Sequence, residues 1–510
     1  MTLIDSTPHA VSPTRTAPLA MDAETFRQLG HQLVDQLAGC LDAIPAGRVT
    51  ADPSPAALRE AMGLDDPLPE AGTDAGPLLE QTTRWLFANS LFNAHPRFFG
   101  YVTAPPAPIG ILGDLLASAL NPNVGAWALA PAATEIEAQV VRWIASFIGF
   151  PAGGSGLMVG GGNMANVACL LAARAARAPW DVRTKGMHDP SARALRIYAS
   201  TETHTWLNKA ADMSGLGTAA IRWIPTDREL RMDMAALGSQ IAADVAAGDV
   251  PLVIVGTAGS VSTGAIDPLH EIAVVARTHD AWFHVDGAYG GFAAALPDAS
   301  SDLHALAEAD SVAVDPHKWL YAPLEAGCAL VRDPNALRAA FAYHPPYYHF
   351  GEEALNYVDL GPQNSRGFRA LKVWLALKQV GAAGYRTMIA DDIRLSREMA
   401  DAVARHPELE FMTQSLSITT FRYVPSALRA RVGEAEAERL LDAINRELVD
   451  RLQREGELFL SNAVSGGRYA LRACIVNFHT DARDVEAVPE IVARAGRRVA
   501  AGIAPSLGDA

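Results

Sequence analysis

The chain has 510 residues, 49% of them apolar and 19% charged; that is enough to bury a large core, too little charge for a disordered chain, and a length that allows two to four domains. A formal net charge of −15 with no Lys/Arg-rich run argues against a general nucleic-acid binder, because nothing is placed to neutralise phosphates. Cys40, Cys169, Cys328 and Cys474 lie far apart with no CxxC pair, which reads as reduced thiols of a cytoplasmic protein and gives no metal site.

Residues 1–21, rich in Pro, Ser and Thr and without an apolar run of signal or membrane-spanning length, read as a flexible arm. From Ala23 to Ile44 the residues Phe26, Leu29, Leu33, Leu37, Leu41 and Ile44 recur at spacings of three and four, and Asp22 is available as N-cap, so an amphipathic helix is expected. Two more helices follow: "SPAALREAM", with proline in its first turn, and "GPLLEQTTRWLFANSLF", extending to His95. They complete an N-terminal helical segment, residues 22–107. Its apolar faces need a partner, either the main domain or a second chain.

Beyond about residue 110 helices alternate with short β-branched runs. The strand candidates are "LRIYAS" (195–200), "IRWIPT" (221–226), "PLVIVGTAG" (251–259), "AWFHVD" (281–286), "SVAVD" (311–315) and "GCALVRD" (327–333). Apolar strands separated by helices predict an α/β domain over residues 108–385, with a mainly parallel central sheet covered by helices. Function in such sheets gathers at loops beyond the strand carboxyl ends, where Asp286, the run from Asp315 to Lys318 and the glycines of "GTAGS" fall. After a long helix, "RGFRALKVWLALKQVGAAGYRTMI", the runs "LSITTFRY" and "RYALRACIVNF" mark a small C-terminal α+β domain, residues 386–510.

Four features carry chemistry. Gly160, Gly161, Gly162 and Asn163 stand directly before a strongly helical run; main-chain N–H groups and the helix dipole there suit a phosphate, although the same glycines can serve only as a turn. The segment is neither a Walker A loop nor a GxGxxG fingerprint. Asp286 ends a strand in "FHVDGAYGGF" and is either a cap or ion-pair partner or, beside a phosphate loop and a lysine, the group that keeps a pyridine nitrogen protonated. Lys318 in "VAVDPHKWLYAPLEAG" is either surface charge or a desolvated amine able to condense with an aldehyde. His317 beside it is a phosphate ligand or a core histidine.

"HVDGAYGG" followed by "DSVAVDPHKWL" resembles the group II amino-acid decarboxylases dependent on pyridoxal 5′-phosphate, the family of aromatic L-amino-acid decarboxylase. The likeness continues, in order, through "HPRFFGYVTAPP", "GAWALAPAATEIEAQVVRWI", "GGGNMANVACLLAAR", "ETHTWLNKAADMSGLG", "GTAGSVSTGAIDP", "RGFRALKVWLALKQVG" and "YALRACIVNFHTDARDV", from residue 23 to about 495. It implies the fold type I architecture of aspartate aminotransferase and decarboxylation of an L-amino acid to an amine and CO2. It also implies pyridoxal 5′-phosphate as cofactor and a homodimer with the active site at the interface.

By this resemblance Lys318 carries the cofactor, Asp286 partners its ring nitrogen, His204 stacks on the ring, and Ala288 lies on the ring's other face. Gly162 and Asn163 match the phosphate loop, with "GGN" in place of a glycine-serine pattern; His317 matches a phosphate contact; Ser260 stands where the family has threonine. Tyr347, in the Pro-, Tyr- and His-rich "FAYHPPYYHFGEEALNYVDLGPQ", matches the tyrosine of a catalytic loop that protonates the substrate carbon, with Tyr348 the alternative if the register slips by one. Phe98, Phe99, Tyr101 and Trp127 match segments lining the substrate pocket and suit an aromatic side chain, unless they are simply core. Arg97 nearby offers a partner for an acidic one. An aldehyde synthase or aminotransferase using the same lysine and aspartate, and a catalytically silent protein of the same fold, are the competing readings.

Overall fold

The computed structural model describes residues 17–344 and 354–503. The chain forms two units, one from Met1–Gly47 with Ala51–Ser90 and the other from Arg48–Thr50 with Leu91–Ala510.

The described part of the first unit is helical. Its helix Ala23–Ala43 is capped by Asp22, whose carboxylate accepts the Thr25 N–H at 2.8 Å. Pro55–Met62 starts with proline behind a Ser54 cap and stops at Gly63, which has φ +61°; that left-handed turn is the usual helix terminator. Ala75–Ala88 ends short of His95, because Asn89 turns its side-chain amide back onto the Trp85 carbonyl at 2.9 Å.

The second unit is built on a seven-stranded sheet of β1 (Ser155–Val159), β2 (Leu195–Ser200), β3 (Ile221–Ile224), β4 (Val250–Thr257), β5 (Trp282–Asp286), β6 (Ser311–Val314) and β7 (Gly327–Val331). Their spatial order is β1-β7-β6-β5-β4-β2-β3. β6-β5-β4-β2-β3 are parallel neighbours, while β7 runs antiparallel to both β6 and β1. β5, β6 and β7 are buried along their whole length, as strands covered on both faces must be. Sequence periodicity had no purchase on β1: "SGLMV" carries one β-branched residue and runs straight into the glycines.

A four-stranded antiparallel sheet follows, of β8 (Leu409–Ser415), β9 (Ile418–Tyr423), β10 (Ser461–Ser465) and β11 (Arg468–Cys474) in the order β10-β11-β9-β8. It shares a second apolar core with the helices Ala435–Glu455 and Ala482–Ile503. The helix Ala370–Arg405 runs between the two cores and is kinked at Gly381, where φ is +69°. Among the described residues no helix is long and apolar enough to cross a membrane.

Candidate active site

A cleft of about 290 Å³ opens over the carboxyl ends of β4, β5 and β6, at the lower end of the size range of small-molecule sites. Asp286 is the last residue of β5 and only 7% exposed. Its Oδ1 accepts the Ala288 N–H at 3.1 Å and its Oδ2 accepts the indole N–H of Trp206 at 2.7 Å, so two fixed donors orient a buried carboxylate. β6 ends at Val314, and Asp315 then opens the single helical turn Pro316–Trp319. That turn lifts Lys318 into the cleft with Nζ 3.3 Å from Asp315 Oδ2. Asp315 Oδ1 is buried with no hydrogen-bond partner.

Gly162 and Asn163 begin the helix Gly162–Arg177 and line the same cleft. Gly161, just before them, has φ +102°, a conformation that favours glycine. A Cβ on Gly162 would stand 2.6 Å from Asp315 Oδ2 and 2.8 Å from the Ala288 methyl. Glycine is thus what lets the helix start approach Asp315 and Ala288 this closely, at a helix N-terminus whose main-chain N–H groups suit an anion.

His204 follows β2 and lines the cleft. Burial holds its pKa below the usual histidine value. Nδ1 accepts the Trp206 main-chain N–H at 3.2 Å, which leaves the proton of the neutral ring on Nε2. Ala288 also lines the cleft.

Four expected contacts fall outside the cleft lining, and His317 stands against the glycine loop, its Cε1 3.2 Å from where a Cβ on Gly161 would lie. His317 sits behind the glycine loop, accepting the Ala326 N–H on Nδ1 at 3.3 Å with Nε2 3.5 Å from Asp315 Oδ2; burial lowers its pKa. The Ser260 hydroxyl is turned into its own loop, paired with Thr263 Oγ1 at 3.0 Å, and it is Gly259 and Val261 that reach the cleft. Phe98 stacks on Phe459 with centroids 5.3 Å apart, and Phe99 is fully buried in the second core. The physical reason is that this segment joins the chain beside the small sheet: Phe99 N–H donates to the Phe459 carbonyl at 2.9 Å and its own carbonyl accepts the Cys474 N–H at 2.9 Å. Tyr101, with φ +54°, then redirects the backbone and does line the cleft. Trp127 is 39% exposed, bonded through its indole to Glu135 at 3.0 Å, and outside the cleft. Tyr347 and Tyr348 lie outside the described residues.

The cleft contains groups that motif reading passed over, among them Asn166, Trp206, Tyr289 and Arg472. Arg472 is 3% exposed; its Nη1 donates to Ser461 Oγ at 2.8 Å, while Nε and Nη2 have no partner. A buried guanidinium with open N–H groups is costly unless an anion completes it. The signal was legible, since Arg472 is the one charge in the otherwise apolar run from Tyr469 to Val476. Among the described residues no cluster of His, Cys, Asp or Glu is placed to hold a metal.

An amine at one strand end, a buried carboxylate at the next and a glycine-opened helix start define a pyridoxal-phosphate enzyme of fold type I. The orphaned Asp315 Oδ1 and Arg472 N–H groups and the side-chain-free cradle at Gly162 fit a charged aromatic group between them. Residues 55–424 match the pyridoxal-dependent decarboxylase conserved domain, and the chain belongs to that family. It is an amino-acid decarboxylase, a carboxy-lyase that uses pyridoxal 5′-phosphate.

The chain is 32% identical over 472 residues to an aromatic-L-amino-acid decarboxylase of Bacillus atrophaeus, covering 92% of this chain and 94% of that protein. It is 30% identical to a phenylacetaldehyde synthase of Petunia hybrida, over 89% of this chain and 91% of that one. The solved structure of Oryza sativa TDC with PLP and tryptamine superposes with a TM-score of 0.86 at 28% identity, covering 95% of this chain and 99% of that one.

Proposed function

We propose that this cleft decarboxylates an aromatic L-amino acid to the corresponding amine, with Lys318 holding the cofactor and Asp286 keeping its ring nitrogen protonated. The observation that carries the assignment is the convergence of Lys318, Asp286 and His204 on one cleft. When bound, pyridoxal 5′-phosphate supplies the electron sink for the pair left at the substrate Cα as CO2 departs.

Each protein group then has a bounded task. Lys318 would hold the cofactor, with Asp315 Oδ2 3.3 Å from its Nζ. Main-chain N–H groups at Gly162 and Asn163 hold the phosphate. His204 covers the ring and offers its Nε2 proton as a donor. Arg472 holds an anionic group brought by the substrate or the cofactor. Tyr347 returns a proton to the substrate Cα.

An aromatic substrate is supported by the activities of the relatives and by the wall of Tyr101, Val102 and Val261. The protein works as a homodimer: on the helix Pro108–Leu120, Leu112, Leu115, Leu116 and Leu120 are 53–65% exposed, an apolar face that a second copy would cover. A cytoplasmic setting accords with four unpaired cysteines.

The test is to incubate cofactor-loaded protein with aromatic, acidic and basic L-amino acids and follow CO2, amine and aldehyde by mass spectrometry, with Lys318→Ala as control. Amine and CO2 from an aromatic substrate, lost in the variant, is the expected result; release only from acidic amino acids would overturn the substrate assignment. The phenylacetaldehyde synthase relative gives a second reading, which aldehyde in place of amine would establish.

A further inference from the structure

Trp206 has no part in the chemistry described above, yet it bonds both the group assigned to the cofactor's ring nitrogen and the group assigned to one face of the ring. It opens the helix Trp206–Met213 and is 1% exposed. Its main-chain N–H donates to His204 Nδ1 at 3.2 Å, and its indole N–H donates to Asp286 Oδ2 at 2.7 Å. We propose that Trp206 is a positioning residue that fixes Asp286 through its indole and His204 through its main chain, and so sets the protonation of the bound ring. The inference rests on the roles proposed for Asp286 and His204.

The indole is itself held. His284, two residues before Asp286 on the same face of β5, meets it edge-on, with centroids 5.7 Å apart and planes at 84°. His284 is fixed in turn by Asn166 Oδ1 at 2.7 Å and Ser311 Oγ at 2.8 Å. The wedge of Trp206 between His284 and Asp286 cannot rotate without breaking one of these bonds. With Ala288 N–H on Oδ1 and Trp206 on Oδ2, the plane of the Asp286 carboxylate is set before any ligand arrives.

A tryptophan kept only to fill volume would be replaced by another large apolar ring at little functional cost. The decisive variants therefore remove the N–H and keep the ring: Trp206→Phe, and replacement of Trp206 by benzothienylalanine, which is nearly isosteric and lacks the donor. Both are made as holoenzymes, and the readouts are the pH titration of bound-cofactor absorbance and the 15N shift of ring-labelled cofactor. The other ionisable groups around the ring, Lys318, Asp315, His204 and His284, are the same in every variant.

The expected result is a titration displaced by about one pH unit and kcat lower by about 10-fold with KM within about twofold. An unchanged titration and 15N shift in either folded variant would overturn the proposal. Should the phenylalanine variant fail to fold, the benzothienylalanine protein decides alone. Asp286→Asn separates the two levels: if it shifts the titration and neither Trp206 variant does, only the Trp206 role falls. If Asp286→Asn leaves the titration unmoved, the reading of Asp286 falls and the Trp206 role with it.

Discussion

His284 marks how sharply the site is desolvated. Burial pushes its pKa down to about 4, so the ring stays neutral beneath Asp286 and leaves that carboxylate without a competing cation. An unfolded chain protonates this histidine near pH 6.5 and the native one does not, so its contribution to stability falls as pH drops from about 6.5 to about 4 and is level below that. Asp392, pushed up to about 7 by burial despite the hydrogen bonds it accepts from Trp319 and Tyr321, and Asp267, pushed up to about 6 by burial, act in the opposite sense. They cancel in a comparison with His284→Gln. Urea unfolding of the two apo-proteins across this range is expected to give a stability difference, wild type minus variant, that shrinks on acidification by up to about 3 kcal/mol. A difference independent of pH would show that native His284 takes up its proton over the same range as in the unfolded chain.

At the scale of elements, the glycine turn between β1 and the helix Gly162–Arg177 shapes the cleft. Gly162→Ala places a methyl against Asp315 and Ala288, at the point where the phosphate is proposed to bind. Cofactor affinity, followed by absorbance titration of the apo-protein, is expected to fall at least about 10-fold, while the melting temperature of the apo-protein moves by only a few degrees. Strands β2 and β4 to β7 were legible in the sequence because burial on both faces leaves an apolar run in each, β3 because of its β-branched ends, and the helix-starting glycines because little else explains three in a row. β1 was not legible, since its burial comes from pairing with the distant β7. The same limit applies at Phe98 and Phe99: aromaticity was plain, but the bonds tying Phe99 to Phe459 and Cys474 join parts of the chain more than 350 residues apart and leave no local trace. Trp206 and Arg472 were visible as residues and unassigned as roles, because their contacts, Trp206 to Asp286 and Arg472 to Ser461, are made between elements and leave no periodic signal.

For the whole molecule, the helix Pro108–Leu120 packs through Gly110 and Gly113. A Cβ on Gly113 would stand 3.1 Å from Lys372 Cα. With the glycine face committed inward, Leu112, Leu115, Leu116 and Leu120 are left on the outside. Charge on that face is expected to disrupt the proposed homodimer: Leu116→Glu should raise its dissociation constant roughly 100-fold or more, read by sedimentation velocity, and reduce turnover in parallel. A variant that sediments as wild type would place the interface elsewhere.

The position of Arg472 bears on how the enzyme is born. The cleft draws side chains from Tyr101 to Arg472, and β11, which carries Arg472, pairs with β9 and β10 in the small sheet. Lys318 therefore leaves the ribosome long before the strand that completes the wall around it. A nascent chain can fold its central sheet early, yet it exposes a reactive amine in a half-built cleft until the last strand docks. The wall that Arg472 supplies is in this way the last part of the cleft to be completed.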